Sequence, residues 1–291
     1  MKVYLFPNLS KLNCREYTEN ACEVLKSCGI SIMMEEKYRK DFPFVEGLEY
    51  SDEQSCISLC DAVIAIGGDG TILKCSVSAS EHKKPVLGIN CGRLGFMASL
   101  EHTQLDRLKN LADGKYSISR RMMLKARVKG DDNSEFFALN DVVVSRSDDC
   151  KIADFEVHKD GQPVSSLRAN GVILSTATGA TAYSMSAGGP IIEPEMECIE
   201  FTQICPHSLF ARSMIFSSNS RIIVKCHTAD NAHVCLNVDG NIVYKLSDGD
   251  EIEVMRSPSH LDIIDIDGGS FFSSVNRKLM RPLKDTSEEN Q

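Results

Sequence analysis

The hydrophobic period of this chain changes once, near residue 118, and that change limits what it can fold into. Before it, short unbroken apolar runs alternate with helix-length segments. Residues 2–6, 30–34, 62–66 and 85–90 read as strands, and 51–60 and 71–79 as helices. Within 15–28, Tyr17, Ala21, Val24, Leu25 and Cys28 fall on one helical face, and Gly29 follows where a C-cap glycine belongs. Strands apolar on both faces and separated by helices predict a parallel sheet covered on both sides.

After residue 118 the period becomes two. Met122, Leu124, Ala126 and Val128 alternate with polar neighbours, and further strands are predicted at 135–139, 142–145, 155–158, 171–175, 221–226, 234–238, 242–245 and 251–255. Asp-Gly turns at 160–161 and 239–240 join hairpins. A last strand, 261–267, and a helix, 273–283, can return to the first half. The pattern is α/β plus all-β: a Rossmann-like parallel α/β domain over 1–117, joined by 262–284, then a mostly antiparallel β domain over 118–261 and a frayed polar tail at 285–291.

Composition narrows the function classes. With 42% apolar and 25% charged residues over 291 positions, the chain can bury a sizeable core. Its 32 Lys and Arg stand against 41 Asp and Glu, a balance of −9 that lacks the basic footprint of a duplex nucleic-acid binder and disfavours anionic lipid. The opening MKVYLFPNLS reads as a first strand, not a signal peptide, and no apolar stretch reaches bilayer length. Twelve cysteines without a C-x-x-C pair suit the reducing cytoplasm.

Two stretches carry chemistry. Gly67-Gly68-Asp69-Gly70-Thr71 follows an apolar strand and opens a helical run. Glycines let a ligand approach the backbone, and a helix N-terminus offers amides to phosphate oxygens. Asp69 is out of place in a phosphate cradle unless it holds Mg²⁺ or accepts a proton from an attacking hydroxyl; otherwise it caps the helix. Lys74 either reaches a phosphate or is a solvated surface lysine. The second stretch, 175–190, is rich in hydroxyls and small residues around one ring. There Thr178, Gly179, Thr181 and Ser186 can bond ribose or phosphate and Tyr183 can stack on a base, or the run is a ligand-free loop.

Other features read as structural. Cys226-His227 and His233-x-Cys235 match no common zinc spacing, so no metal ligand is assigned. Cys56 and Cys60 suit buried packing on one helix face, Met122-Met123-Leu124 suits core, and 193–197 suits a solvated loop. His207 reads as a hydrogen-bonded structural histidine.

Together, in this order, the two stretches resemble the NAD kinase family. GGDGT occurs in lipid and sugar kinases too, but TATGATAYSMSAGGP is similar to that family's T-P-T-G-S-T-A-Y-x-x-S-A-G-G-P. Lesser matches fall in sequence: 88–96 (GINCGRLGF), Leu139-Asn140-Asp141, 205–209 (CPHSL) and Val238-Asp239-Gly240. The resemblance spans about 60–245. It implies transfer of the γ-phosphoryl of ATP to the adenosine ribose 2′-hydroxyl of NAD, with Mg²⁺ or another divalent cation, in a homodimer or homotetramer whose β domain binds NAD and oligomerises. Asp69 is then the base, with Gly67, Gly68, Gly70 and Thr71 around ATP phosphates. Asn140 and Asp141 meet ribose hydroxyls or the nicotinamide end, and Thr181, Ala182, Tyr183 and Ser186 hold adenosine. Arg168, Asn170 and Asp239 also touch nucleotide, the first two at times across a subunit boundary. Three positions depart from the pattern: Asn170 stands where an Asp is frequent, Ala177 replaces Pro and Ala180 replaces Ser. These leave open a non-catalytic NAD(P)-binding regulator, and GGDGT leaves open a lipid or sugar kinase.

Overall fold

Hydrophobic continuity builds the first strands. In β1 (Lys2–Pro7) Val3, Tyr4 and Leu5 are buried, and in β4 (Ala62–Gly67) every residue is. The computed structural model describes residues 1–92, 95–147, 152–208, 211–227, 234–266, 268 and 271–279. Its chain divides into two compact units, Met1–Ser119 with the segment from Asp262 onward, and Arg120–Leu261.

In the first unit, β1 leads to α1 (Cys14–Ser27), β2 (Ser31–Glu35), β3 (Leu48–Ser51) and α2 (Glu53–Leu59). Then come β4, α3 (Asp69–Glu81), β5 (Val86–Asn90), the short β6 (Leu100–Glu101) and α4 (Lys109–Ala112). Gly29 ends α1 at φ +73°, with its amide on Lys26 O and the next amide, Ile30, on Leu25 O, as its spacing predicts. The strand order β5-β4-β1-β2-β3 is parallel throughout. From β1 the chain runs outward through β2 and β3, then jumps to β4 on the other side. That reversal opens a crevice at the carboxyl ends of β1 and β4, where an open α/β sheet binds ligands. Val3, Leu5, Ile32, Ile64, Ile66 and Leu25 share one core here.

The second unit is antiparallel. It runs through β7 (Ser117–Val128), β8 (Glu135–Ala138), β9 (Asp141–Arg146), β10 (Ala153–Lys159), β11 (Gln162–Ala169) and β12 (Gly171–Ser175). After the single turn α5 (Tyr183–Ser186) come β13 (Cys198–Ile204), β14 (Met214–Ser217), β15 (Ile222–His227), β16 (Val234–Val238), β17 (Asn241–Leu246) and β18 (Glu251–Asp265). One sheet has the order β14-β13-β12-β9-β16-β17; the other links β11, β10, β15, β18, β7 and β8. Phe155, Val172, Phe201, Val224, Leu236 and Val254 join one core. Fully buried Glu253 of β18 is paired with both Arg127 and Arg221, which compensates a charge otherwise costly to bury. Asp160-Gly161 and Asp239-Gly240 all have positive φ, as type I′ hairpin turns require.

Several expectations are corrected. The helix expected at 51–60 is α2, which starts two residues later; Ser51 ends β3, a short edge strand (LEYS) absent from the sequence reading. The strands expected at 251–255 and 261–267 are one, β18; its ladder to β15 ends at Val254 and the pair to β5 is at Ile263, so neither needs the N–H that Pro258 lacks. The strands β11, β13 and the four-residue β14 have no clean alternation of polar and apolar residues and escape a periodicity reading. The end of β18 does return to the first unit: Ile263 pairs with Val86, and Ile264 and Ile266 enter its core. The last helix, α6 (Phe271–Leu279), begins two residues before the expected start, with the Phe271 ring 6.5 Å from that of Phe96. Residues 280–283 of the expected helix, the tail 285–291, and Arg93, Leu94, Cys150, Leu209 and His233 lie outside the described residues.

Candidate active site

The first candidate group sits at the carboxyl end of β4. Gly67 and Gly68 have φ of +156° and +139°, conformations that favour glycine, and a Cβ on Gly67 would collide with the Thr71 hydroxyl. Gly68 is the N-cap of α3, and its carbonyl accepts the amides of Thr71 (2.8 Å) and Ile72 (3.2 Å). Asn8, just past β1, closes the corner: its amide donates to Ile66 O at 2.9 Å and its side chain to Thr71 Oγ1 at 3.5 Å. The positive end of the α3 dipole thus lies at the switch point of the sheet.

Asp69 is the first residue of α3, so the capping position belongs to Gly68. The carboxylate reaches instead to the segment 95–98. Oδ2 accepts the Phe96 amide at 2.6 Å, and Oδ1 accepts those of Met97 (3.1 Å) and Ala98 (3.3 Å). Any Cβ on Gly95 would overlap this carboxylate, so glycine is required there. A carboxylate offers about four lone-pair positions, and three amides leave one. Asp69 is half-buried, while Gly70 and Lys74 are exposed one helical turn apart, which makes Lys74 a solvent-facing residue of α3.

The second group forms where three segments of the β unit meet. Asp239, in its positive-φ turn, accepts the amides of Leu139 (2.8 Å), Asn140 (2.8 Å) and Asp141 (3.0 Å). The Asn140 carbonyl accepts the Thr176 amide at 2.8 Å, and Gly179 packs on it so closely that a Cβ would collide. Thr176 fastens its own turn, donating to Leu139 O at 2.6 Å and accepting the Gly179 amide at 3.0 Å. Two polar atoms here, Asn140 Oδ1 and Thr178 Oγ1, are buried without a partner, although buried polar groups are nearly always satisfied. Burial, and secondarily the charge of Asp239, pushes the Asp141 carboxyl up to about 7. Burial also raises Asp239, against the lowering effect of its three amides. Beside this corner, Tyr183 (46% exposed) and Ser186 line a cavity of about 560 Å³ with Gly188, Gln203, Pro206 and Arg212.

Two models of one family cover most of the chain. The ATP-NAD kinase N-terminal domain matches residues 3–116, and the ATP-NAD kinase C-terminal domain matches 139–266. The chain is 35% identical over 282 residues to the NAD kinase of Natranaerobius thermophilus, covering 95% of this chain and 97% of that one. It belongs to the NAD kinase family.

The NAD kinase of Caldicellulosiruptor bescii is also 35% identical, over 281 residues, with 96% and 99% of the two chains covered. Among solved structures, yeast NADH kinase complexed with NADH superposes with a TM-score of 0.85 at 26% identity, covering 96% of this chain and 87% of that one. An Archaeoglobus fulgidus NAD kinase in complex with ATP shares the fold, with a TM-score of 0.71 at 22% identity over 96% and 98% of the chains. As a member of this phosphotransferase family, the chain carries both expected sequence groups, one in each unit. The first unit holds Gly67, Gly68, Asp69, Gly70, Thr71 and Lys74. In the second, Asn140, Asp141, Thr178, Gly179, Thr181, Ala182, Tyr183 and Ser186 stand at one corner with Asp239.

Arg168 and Asn170 lie on another side of this group, where the Asn170 amide donates to Ile204 O at 3.0 Å in the wall of the cavity that Tyr183 lines. They stand before Gly171, at the other end of β12 from Ser175, about 13 Å away at 3.3 Å per residue. Arg168 makes a bidentate pair with Asp154, both bonds 2.9 Å, and its carbonyl accepts the His207 amide at 2.8 Å. The His207 side chain is exposed, not the structural histidine expected of it. Asp239 is also revised, since its carboxylate turns inward onto three backbone amides. Ala177 and Ala180 pack with Ile192 and Cys198 in an apolar cluster, so the absent Pro and Ser are matched by what lies beneath them. Among the described residues, no group of three or more His, Cys, Asp and Glu is placed to hold a metal ion. Sequence reasoning missed Asn8, which the strand-order reversal would have flagged once β3 was recognised.

Proposed function

We propose that the two groups divide the kinase reaction between them. The glycine corner and the first amides of α3 hold the phosphates of ATP through backbone donors and the helix dipole, which needs no positive net charge. Asp69 orients the adenosine ribose 2′-hydroxyl of NAD and receives its proton on the lone-pair position that Phe96, Met97 and Ala98 leave free. In-line phosphoryl transfer asks mainly for such positioning and charge neutralisation.

The β-unit corner holds the nucleoside. Asn140 Oδ1 and Thr178 Oγ1 take ribose hydroxyls, Asp141 adds a second acceptor, and Tyr183 stacks on the adenine. Asp239 acts as the brace that presents Asn140 and Asp141. The two partnerless buried atoms are the observation that carries this reading, because a bound ligand supplies what the fold leaves unmade.

With the one free position of Asp69 given to the hydroxyl, a magnesium ion would be held by the phosphates of ATP, and no carboxylate of the chain is assigned to it. Bound with ATP, that ion supplies neutralisation of phosphate charge. We further propose a homodimer or homotetramer in which Arg168 and Asn170 face a neighbouring copy. No helix among the described residues is long and apolar enough to cross a membrane; a cytoplasmic location is part of the proposal and rests on the cysteine usage of the sequence.

The test is NADP formation by purified protein from NAD, ATP and Mg²⁺, with NADH, a sphingoid base and diacylglycerol as alternative acceptors and polyphosphate as alternative donor. Phosphorylation of the nicotinamide nucleotides alone is expected. Lipid phosphorylation, or NAD binding without turnover, contradicts the reading.

A further inference from the structure

β13 carries a carboxyl in a place where a strand buries hydrocarbon. Glu200 is 0% exposed, opposite Ser175 of β12 and Ile215 of β14. Its Oε1 lies 2.8 Å from Ser184 Oγ and 3.0 Å from Thr202 Oγ1. Ser184 Oγ is also 3.0 Å from Thr202 Oγ1, which is 2.9 Å from Ser213 Oγ. The other carboxyl oxygen, Oε2, is buried without a partner. A Cβ on Gly189 would collide with Oε1 and with the Ser184 hydroxyl, so the 187–190 bend rests directly on this cluster.

Counting protons decides the ionisation state. Four oxygen–oxygen contacts of 2.8–3.0 Å each need one proton, and three hydroxyls supply three. The fourth belongs to the carboxyl. Glu200 then donates to Ser184, Ser184 to Thr202, and Thr202 back to Oε1, while Ser213 donates to Thr202. An ionised Glu200 leaves one contact with two lone pairs facing each other in a dry site. Burial raises the carboxyl in the same sense, against the lowering effect of the two hydroxyls. The Cys198 thiol on the same strand is the titratable group that feels Glu200, and the facing Ser175, Ile215 and Ser184 add no charge.

Thr202 and Ser213 form part of the wall of the cavity that Tyr183 and Ser186 also line, and Glu200 stands behind them. We propose that Glu200 is a positioning residue for the nucleotide: a neutral carboxylic acid whose ring of hydroxyls fastens α5 and the 187–190 bend to β13, and so fixes Tyr183 and Ser186 against the cavity. This rests on the reading of that cavity as the adenosine site. It adds a residue that touches no substrate and acts by holding those that do.

The experiment compares the full-length wild type with Glu200→Gln and Glu200→Ala, measuring KM for NAD, KM for ATP, kcat, and melting temperature against pH. The amide of Glu200→Gln can donate to both Ser184 and Thr202, so KM for NAD is expected to stay within about twofold of wild type. Glu200→Ala leaves buried hydroxyls unpaired and raises KM for NAD about tenfold, with kcat and KM for ATP nearly unaltered. A carboxyl raised by burial stabilises the fold fully below its ordinary value of 4.5 and loses that stabilisation as pH rises above it. The wild type therefore loses melting temperature relative to Glu200→Gln as pH rises from about 4.5. Should Glu200→Ala not fold, Ser184→Ala cuts the same tie from the other end and is expected to give the same selective rise. Glu200→Gln as impaired as Glu200→Ala, or a normal KM for NAD in Glu200→Ala, overturns the assignment. Absence of NADP formation by the wild type overturns the kinase reading instead.

Discussion

Asp69 and Asp239 make the same bonds and sit in different chemistry. Each carboxylate accepts three consecutive backbone amides, 96–98 in the first case and 139–141 in the second. Asp69 is half-buried at the positive end of α3, against a loop made close by Gly95. Asp239 is equally half-buried, in a hairpin turn with Asp141 beside it, and Asp141 feels its charge. Hydrogen bonding alone therefore does not tell a reacting carboxylate from a structural one. Their settings differ: Asp69 stands at the positive end of α3, whereas the charge of Asp239 acts on buried Asp141, and the proposed roles of base and brace rest on that difference.

The largest expected effect falls on Asp69. Asp69→Asn keeps a similar shape but removes the proton acceptor, and kcat for NADP formation is expected to fall by about 10²–10⁴. Gly95→Ala leaves the carboxylate in place and pushes its loop away. Turnover is expected to drop by about tenfold or more, with part of it restored by no change in NAD concentration. Unaltered kcat in Gly95→Ala breaks the claim that this loop sets Asp69. On the other side, Asp239→Ala leaves three amides unpaired in a buried corner and is expected to cost about 2–4 kcal/mol in denaturant unfolding. A stability equal to wild type removes Asp239 as a brace. A further effect concerns pH. Asp141, raised from 3.8 to about 7, stabilises fully below 3.8 and loses that contribution as pH rises through 7. Wild-type stability should fall over that interval relative to Asp141→Asn, and parallel melting curves against pH contradict the assignment.

The two regions were also unequally legible in the sequence. The glycine corner could be read because its strand is unbroken apolar sequence and its glycines have a direct conformational reason. The partner of Asp69 could not: nothing in the spacing of 69 and 95–98 says that amides so far along the chain converge on it. Asp239 shows the reverse error. Its Asp-Gly turn predicts the hairpin, and the family resemblance implies a nucleotide contact, but only the fold reveals three amides taking its oxygens. The strand β13 escaped notice because Glu200, Thr202 and Gln203 occupy buried positions where periodicity expects hydrocarbon. Those polar residues mark where the fold gives up apolar packing for a hydroxyl network beneath Ser184 and Gly189.

The most direct test places Asp69→Asn and Asp239→Asn side by side, with kcat and KM for NAD measured in one NADP-forming assay. The expected result is a split: Asp69→Asn loses kcat with KM nearly intact, while Asp239→Asn raises KM for NAD and retains most of kcat. Equal losses of kcat in the two variants would contradict the division of roles between them.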